Sequence, residues 1–379
     1  PQIHGLMRIL LMGDASNYHR CLATGLARLG HNVTVASNGS GWMETARDID
    51  LSRKPAGKIG GAILWARLNT VLASRLKGYD IVHIASNGFV SLKPQRMLTI
   101  FDRLRHDNGK IFLSALGTDS IFVRACTKKD PPLRYSEWQL PSGPTEWSAR
   151  PEAARDIWLS DELYRLSDHL YTHIDGIVSA LYEYDTVCRH MYPDVPVAYG
   201  GIPIDLNALP RRTGGSDDDK RALLLTYAAH RGREGEKGAD ILLRAAREVA
   251  ARHPQKVILS CPDNVPYTQF IEILRHSDIV TDQLYSFTPA TTALLAMALG
   301  AVPVSGAEPE FYDFIGEKEL RPIINPDPCD FEKTCSRLER IVTDRELFRS
   351  IQAQGREFVQ RHNDIDTVAR RFENFWLSL

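Results

Sequence analysis

Several features that would mark a particular class of protein are missing from this sequence. Its six cysteines form no C-x-x-C pair and no other paired spacing, which argues against a disulfide framework or a zinc site. The only apolar run near its start covers residues 6–12, which we interpret as a first strand rather than a signal peptide or membrane span. A net charge of -1 gives no overall attraction for nucleic acid or acidic lipid. We therefore expect a cytoplasmic protein with reduced thiols, whose charged sites are local.

Motifs with well-defined chemistry are absent too. The sequence contains no Walker loop, no G-x-G-x-x-G, no zinc-ligand spacing and no hydrolase order of serine, histidine and acid. We accordingly expect no zinc framework and no cofactor held by one of these motifs. What is present instead is an α/β pattern in two successive parts.

The first part alternates buried strands with helices. The segments "MRILLMG", "DASNYHR", "CLATGLARLGH" and "NVTVAS" form a strand, a polar turn, a helix and a second strand, which is typical of a parallel βαβ unit. The strand patterns "YDIVHIAS" and "GKIFLSALG" follow, with a helix between them. A long irregular stretch over residues 124–150 interrupts the pattern, and it is either a functional loop or a plain excursion.

A second α/β part begins after a segment rich in glycine, proline and charge, "VAYGGIPIDLNALPRRTGGSDDDKR". From "ALLLTYAA" onward, strands and helices alternate again, which predicts two doubly wound domains in tandem. Ligands of such sheets lie beyond the carboxyl ends of the strands, so we expect a site in the cleft between the domains.

The stretch "ATTALLAMALGAVPVSG", residues 290–306, predicts a helix, a glycine stop and a strand. Thr291 and Thr292 can help to cap the helix start, and Gly300 suits the left-handed position after its end. Unpaired backbone N–H groups at the helix start could receive an anion.

A second candidate anion site lies in "HRGREGEKGADILLRAA", where a strand ends and a helix begins. Arg231, Arg233 and Lys237 stand in this loop, and three cations beside a helix start suit a diphosphate. A solvated basic turn, partly neutralised by Glu234 and Glu236, accounts for the same residues equally well.

These two segments, in this order, resemble the donor domain of GT-B glycosyltransferases, especially the large retaining family 4 that acts on nucleotide-sugars. The resemblance extends to "GDASNYHRCLATGLARLGHNVTVAS", "YDIVHIAS", "LSALGTDS" and "GGIPIDLN", and so covers most of the chain except residues 124–150. It implies two Rossmann-like domains facing across a cleft. Residues 1–203 would form the acceptor-side domain and 204–361 the donor domain, with a C-terminal helix, about 362–379, packing back on the first domain.

The resemblance also implies roles for individual residues. Arg233 and Lys237 match the catalytic cation pair that neutralises the donor diphosphate as the sugar leaves, with Arg231 as a substitute for Arg233. The segment from Thr288 to Thr292, with Thr291 within it, would receive the same phosphates. Further donor-binding candidates, at the end of a strand facing the cleft, are Asp282, Gln283 and Tyr285; a capped strand end with a packed tyrosine is the alternative.

The sequence departs from the family where two glutamates usually stand. Phe287 and Leu295 occupy these places, and neither side chain can accept a hydrogen bond from ribose hydroxyls. Leu295 is either a core residue, which we favour, or the wall of a vacated ribose pocket. Glu308 or Glu310 in the following loop could compensate, and a solvent-facing acidic loop accounts for both equally well.

In the first part, polar residues follow two strands. Many relatives carry a histidine near the strand end "LSALGTDS", and here none stands within the motif; Asp119 is either a sugar-binding or catalytic carboxylate or a helix cap. In the first loop, Asp14, Asn17 and His19 are candidates for the acceptor side, although a lone histidine is more often a packing residue.

We thus predict an enzyme that transfers a sugar from a nucleotide-sugar to a hydroxyl of a glycan or glycolipid acceptor, in synthesis of surface polysaccharide or glycolipid. The resemblance alone implies retained configuration and no essential metal. A catalytically silent nucleotide-sugar-binding module is the alternative, and an epimerase of the same fold is a weaker one. Residues 53–78 mix basic and apolar side chains, as in a helix lying on the inner face of a membrane or in an ordinary domain helix with a basic outer face.

Overall fold

The computed structural model describes residues 5–210, 212, 221–228, 232, 234–263 and 265–379 of the chain. Within these ranges, strands and helices alternate in two successive sets, as the sequence pattern predicts. The cation candidates Arg231 and Arg233 fall outside the described residues.

The first set forms a parallel sheet with a small hairpin beside it. Its elements are β1 (Arg8–Met12), α1 (Tyr18–Arg28), β2 (Asn32–Ser37), β3 (Ile49–Asp50), α2 (Gly57–Asn69), β4 (Ile81–Ile84), α3 (Pro94–Asp107), β5 (Lys110–Ala115), α4 (Ser120–Thr127), β6 (Gln139–Leu140), β7 (Gly143–Pro144), α5 (Arg155–Trp158), α6 (Asp161–Thr172), β8 (Gly176–Ser179), α7 (Tyr182–Met191) and β9 (Val197–Tyr199). The strand order is β3-β2-β1-β4-β5-β8-β9, with every pair parallel.

The second set forms a smaller parallel sheet. Its elements are β10 (Leu223–Tyr227), α8 (Glu234–Lys237), α9 (Ala239–Arg252), β11 (Val257–Ser260), α10 (Tyr267–His276), β12 (Ile279–Thr281), α11 (Thr291–Ala298), β13 (Val302–Val304), α12 (Pro309–Ile315), α13 (Phe331–Thr343), α14 (Arg345–His362) and α15 (Ile365–Ser378). The strand order is β11-β10-β12-β13.

Helices cover both faces of the first sheet, as β1 illustrates. Leu10 and Met12 belong to one hydrophobic cluster and Ile9 and Leu11 to another, and all four side chains are fully buried. A strand buried on both faces explains why the sequence shows an unbroken apolar run rather than an alternating one.

The last helix, α15, packs against α1 of the first sheet. A Cβ on Gly25 would lie 2.6 Å from the carbonyl oxygen of Ile365 and 2.8 Å from the Cβ of Ala369, so glycine permits the close approach of the two helices. Beside them, the backbone N–H of Ile204 donates to the carbonyl of Asn363 at 2.7 Å, which joins the two places where the chain passes between the sheets. The predicted domain limits at 203 and 361 lie close to these two places and stay predictions.

Helix α2 has apolar residues on both its buried and its exposed sides. Leu64 and Leu68 are buried, while Ile59 and Ile63 are 69% and 42% exposed. In the described part of the chain, no helix combines the length and apolar character needed to cross a membrane.

Candidate functional site

A cavity of about 780 Å³ lies between the carboxyl ends of the two sheets. Its walls include residues that come shortly after strands of the first sheet, such as Asp14 after β1 and Leu116 after β5. From the second sheet, Ala228 after β10 and Asp282 after β12 line the cavity. This is the position in which α/β sheets bind ligands.

The donor-side wall holds a lysine paired with a buried carboxylate. Lys237 ends the short helix α8, and its Nζ lies 3.6 Å from Oδ1 of Asp282. Oδ2 of Asp282 accepts a hydrogen bond from the hydroxyl of Ser305 at 3.0 Å, which fixes the carboxylate. Both Lys237 and Asp282 line the cavity. The Lys237 ammonium, held by the Asp282 carboxylate, therefore faces the space between the sheets.

Gln283 and Tyr285 line the same wall, as predicted for donor-binding candidates. The side-chain amide of Gln283 donates to the hydroxyl of Ser286 at 2.8 Å. Burial raises the pKa of Tyr285 to about 12, so its phenol stays a neutral donor at neutral pH. Their placement agrees with the prediction, and the binding role stays a prediction.

The helix start at residues 290–292 also reaches the cavity. Helix α11 begins at Thr291, its preceding residue Ala290 makes no capping hydrogen bond, and Ala290, Thr291 and Thr292 line the cavity. The expectation that a threonine side chain caps this end is therefore wrong. The first N–H groups of a helix have no partner within it, so this end is suited to an anion.

Thr288 lies outside the set of cavity-lining residues and bridges the two halves instead. Its hydroxyl donates to Oε2 of Glu183 at 2.6 Å and accepts the backbone N–H of Tyr182 at 3.0 Å. Its donor and one of its two acceptor positions are thereby used by the first half.

Leu295 and Phe287 are both buried, at 5% and 2% exposure. Leu295 belongs to a hydrophobic cluster with Leu299 and also forms part of the cavity wall. It is therefore both a core residue and a residue that faces the cavity. The ring of Phe287 stacks on that of Tyr135, with centroids 4.5 Å apart.

Glu308 and Glu310, the acidic residues considered as substitutes, bind the loop at residues 124–150. Arg134 donates to Oε2 of Glu308 at 2.9 Å and to Oε1 of Glu310 at 2.5 Å, and the hydroxyl of Tyr135 donates to Oε1 of Glu308 at 2.9 Å. Neither glutamate lines the cavity. They anchor the irregular loop to the second half of the molecule, which the sequence did not indicate.

Asp119 makes the contacts of a helix cap. Its Oδ1 accepts the backbone N–H of Phe122 at 2.8 Å, and its Oδ2 accepts hydrogen bonds from Asn87 at 2.7 Å and from the hydroxyl of Tyr171 at 2.8 Å. Asp119 is not among the residues that line the cavity. These contacts correspond to the capping alternative, and we do not retain Asp119 as a catalytic candidate.

The three candidates in the first loop separate in the structure. Asp14 lines the cavity, where it accepts hydrogen bonds from Thr45 and from the backbone of His19. Asn17 starts α1 in a left-handed conformation and contacts Cys21. His19 is fully buried, and burial lowers its pKa to about 4, so it is a neutral packing residue, with Nδ1 2.7 Å from the carbonyl of Gly13.

Two cavity residues, Glu137 and Glu183, were not found by sequence reasoning. Glu137 belongs to the 124–150 loop and Glu183 to the first turn of α7. Burial raises the pKa of Glu137 to about 8 and that of Glu183 to about 7. Nothing in the local sequence distinguishes them from surface glutamates, because their burial depends on the packing of the loop and both halves. Over the described ranges, no cluster of three or more histidine, cysteine or acidic side chains is arranged to hold a metal ion.

No family model and no curated protein sequence matches the chain. Among solved structures, the sucrose-phosphate synthase of Thermosynechococcus elongatus is similar, with a TM-score of 0.65 and 13% identity over 98% of both chains. Anabaena HepE, solved with UDP-glucose, has a TM-score of 0.60 and 12% identity over 98% of this chain and 100% of its own. A protein assigned as a UDP-N-acetylglucosamine 2-epimerase from Listeria monocytogenes has a TM-score of 0.53 and 11% identity over 97% of this chain and 95% of its own.

At these identities the likeness concerns the fold, and it extends over both sheets and the cleft between them. The two parallel sheets, the cavity at their carboxyl ends and the returning C-terminal helix are thus accounted for together: this chain has the GT-B fold, as the sequence resemblance implied.

Proposed function

We propose that this protein is a glycosyltransferase, which moves a sugar from a nucleotide-sugar to a hydroxyl of an acceptor. The observation that carries the proposal is the convergence of Lys237 and the uncapped start of α11 on one cavity. A cation and a helix N-terminus facing the same space are suited to the diphosphate of such a donor.

The chemistry follows from the charge of the leaving group. When the bond between the anomeric carbon and the phosphate oxygen breaks, negative charge develops on the nucleoside diphosphate. Lys237, held 3.6 Å from Asp282, and the dipole of α11 would stabilise this charge in the transition state. By resemblance, Arg233 or Arg231 would add a second cation from the loop before α8.

We further propose retention of configuration and independence of metal ions, and both rest on the sequence resemblance alone. In a retaining transfer, the acceptor oxygen bonds to the anomeric carbon on the face that the phosphate leaves, and the acceptor proton passes to the released diphosphate. Activity unchanged by a chelator, together with product of unchanged anomeric configuration by NMR, would support these two statements; inverted product would overturn the first.

For the acceptor, we propose a glycan or glycolipid of a surface polysaccharide pathway, met in the cytoplasm at the inner face of the membrane. The support is the exposed pair Ile59 and Ile63 on α2, which lies next to Lys54 and Lys58 in the sequence. Flotation with vesicles containing anionic lipid tests it, and the variant Ile59→Ser/Ile63→Ser should bind less. Equal flotation of both proteins would contradict the membrane contact.

A catalytically silent binding module is the second candidate, and the apolar residues Phe287 and Leu295 favour it. A panel of UDP-, GDP- and ADP-sugars, screened by thermal shift, would find the donor, because a ligand of the native state raises its stability. Donor hydrolysis or transfer would then support the enzyme, whereas binding without turnover would support the module.

A further inference from the structure

Two acidic side chains of the cavity, Glu137 and Glu183, have no part in the function proposed above. Both come from the half that does not carry Lys237 and α11. Each lies beside a position where the sequence lacks a polar group that the resemblance leads one to expect. The inference that follows rests on the proposed function and concerns the sugar end of the donor.

Glu137 is brought to the end of β5 by the 124–150 loop. Its Oε1 accepts a hydrogen bond from the hydroxyl of Thr118 at 3.3 Å, and Thr118 stands in the segment "LSALGTDS", which contains no histidine. Leu133 and Tyr135, on the same loop, also line the cavity. The loop that lies outside the resemblance therefore contributes a carboxyl group at this strand end.

Glu183 is brought to the donor-side half by the contact with Thr288. The Thr288 hydroxyl donates to Oε2 of Glu183 at 2.6 Å, and it accepts the backbone N–H of Tyr182 at 3.0 Å. Thr288 directly follows Phe287, whose ring is turned onto Tyr135. The carboxyl group of Glu183, from the first half, thus lies next to Phe287, the position at which the resemblance leads one to expect a glutamate.

The 124–150 loop contacts both halves of the molecule, and these contacts fix the position of Glu137. Trp138 and Tyr135 are buried in the core cluster of the first half, and the Tyr135 hydroxyl lies 3.0 Å from the carbonyl oxygen of Ser286 in the second. Arg134 adds the ion pairs with Glu308 and Glu310.

The raised pKa values of Glu137 and Glu183 also suit the binding of the neutral hydroxyl groups of a sugar. Burial, followed by the charges of Glu236 and Glu183, raises the pKa of Glu137 to about 8, and burial raises that of Glu183 to about 7. A protonated carboxyl group both donates and accepts hydrogen bonds, as a sugar hydroxyl does. In this protonated form it also adds no negative charge opposite a diphosphate, and the raised pKa favours that form more in Glu137 than in Glu183.

We propose that Glu137 and Glu183 bind the hydroxyl groups of the transferred sugar, and that this chain therefore recognises the sugar from its acceptor-side half. Glu137 contacts Thr118 and Glu183 contacts Thr288, the residue after Phe287, so both carboxyl groups lie beside positions that lack a polar side chain. They are specificity-determining residues, and the nucleotide is bound without them.

The experiment compares the affinities for UDP-glucose and UDP by calorimetry at pH 7, or those for the nucleotide pair found by the donor panel. Glu137→Leu and Glu183→Leu should each lower the affinity for the nucleotide-sugar at least tenfold and leave that for the free diphosphate within twofold. Glu137→Gln, which keeps a neutral donor and acceptor, should retain most of the affinity even if the leucine variant folds poorly. Glu162→Leu, at an exposed glutamate of α6, is the matched control.

An unchanged ratio of the two affinities in the leucine variants, or a loss in Glu137→Gln equal to that in Glu137→Leu, would overturn the inference. If the wild-type protein binds none of the nucleoside diphosphates, the proposed function fails, and the inference fails with it. Binding of the diphosphate with unaltered sugar preference in the variants overturns the inference alone, so the two failures are distinguishable.

Discussion

Replacing Lys237 by methionine tests the phosphate site while keeping the length of the side chain. The Lys237 side chain is 27% exposed, and its Nζ lies 3.6 Å from Oδ1 of the buried Asp282 carboxylate. A hydrogen bond to a charged group contributes about 1.5–3 kcal/mol. Since about 1.4 kcal/mol corresponds to a factor of ten, Lys237→Met should weaken nucleoside diphosphate binding by roughly 10- to 150-fold.

The same variant leaves the Asp282 carboxylate facing the diphosphate without its cation, so part of the loss is repulsion. The double variant Lys237→Met/Asp282→Asn should therefore bind more tightly than Lys237→Met alone. Lys333→Met is the matched control, because Lys333 forms a comparable pair with Asp327 at 2.7 Å on the surface. Calorimetric affinities for Lys237→Met within twofold of wild type would refute the phosphate assignment.

Three further predictions concern stability and the loop. Leu295→Glu should lower the free energy of unfolding by about 3–5 kcal/mol, because it buries an unpaired carboxylate, whereas Leu295→Met should change it little; a stable Leu295→Glu variant with tighter nucleotide binding would contradict this. Because the folded pKa of Glu137 is raised to about 8, the folded state binds more protons than the unfolded one between about pH 4.5 and 8, and stability should fall as pH rises through that window. Urea unfolding should show a smaller fall for Glu137→Gln, and an equal fall in both proteins would argue against the raised pKa. Arg134→Ala removes the ion pairs with Glu308 and Glu310 and should speed chymotrypsin cleavage within residues 124–150, and an unchanged rate would count against the anchoring role.

The sequence predicted what depends on local pattern. Helix α11 and strand β13 follow from an apolar helix, a glycine and a β-branched run, and the structure confirms them, with Gly300 at a positive φ of 88°. Both sheets and their order of elements follow from the same kind of pattern. Prediction of the GT-B fold depended on the motifs taken together, because each motif alone is compatible with other α/β proteins.

Side-chain roles were less predictable, because they depend on contacts between distant segments. Asp119 after a strand suits a cap or a site equally well, and only its contacts with the backbone N–H of Phe122 and with Asn87 and Tyr171 distinguish the two. The sequence gives no sign that Glu308 is paired, because its partner Arg134 lies far away along the chain. Glu137 lies in an irregular loop, and no periodic sequence pattern predicts the position of such a loop.

The central claim is that the cavity between the sheets binds a nucleotide-sugar and transfers its sugar. The most direct measurement is the release of nucleoside diphosphate from a panel of nucleotide-sugars, with and without hydroxyl acceptors, by wild-type protein and Lys237→Met. We expect donor-specific release by the wild type, stimulated by an acceptor and reduced at least tenfold in the variant. Tight donor binding by the wild type, with no release under any of these conditions, would contradict transfer and leave a binding module.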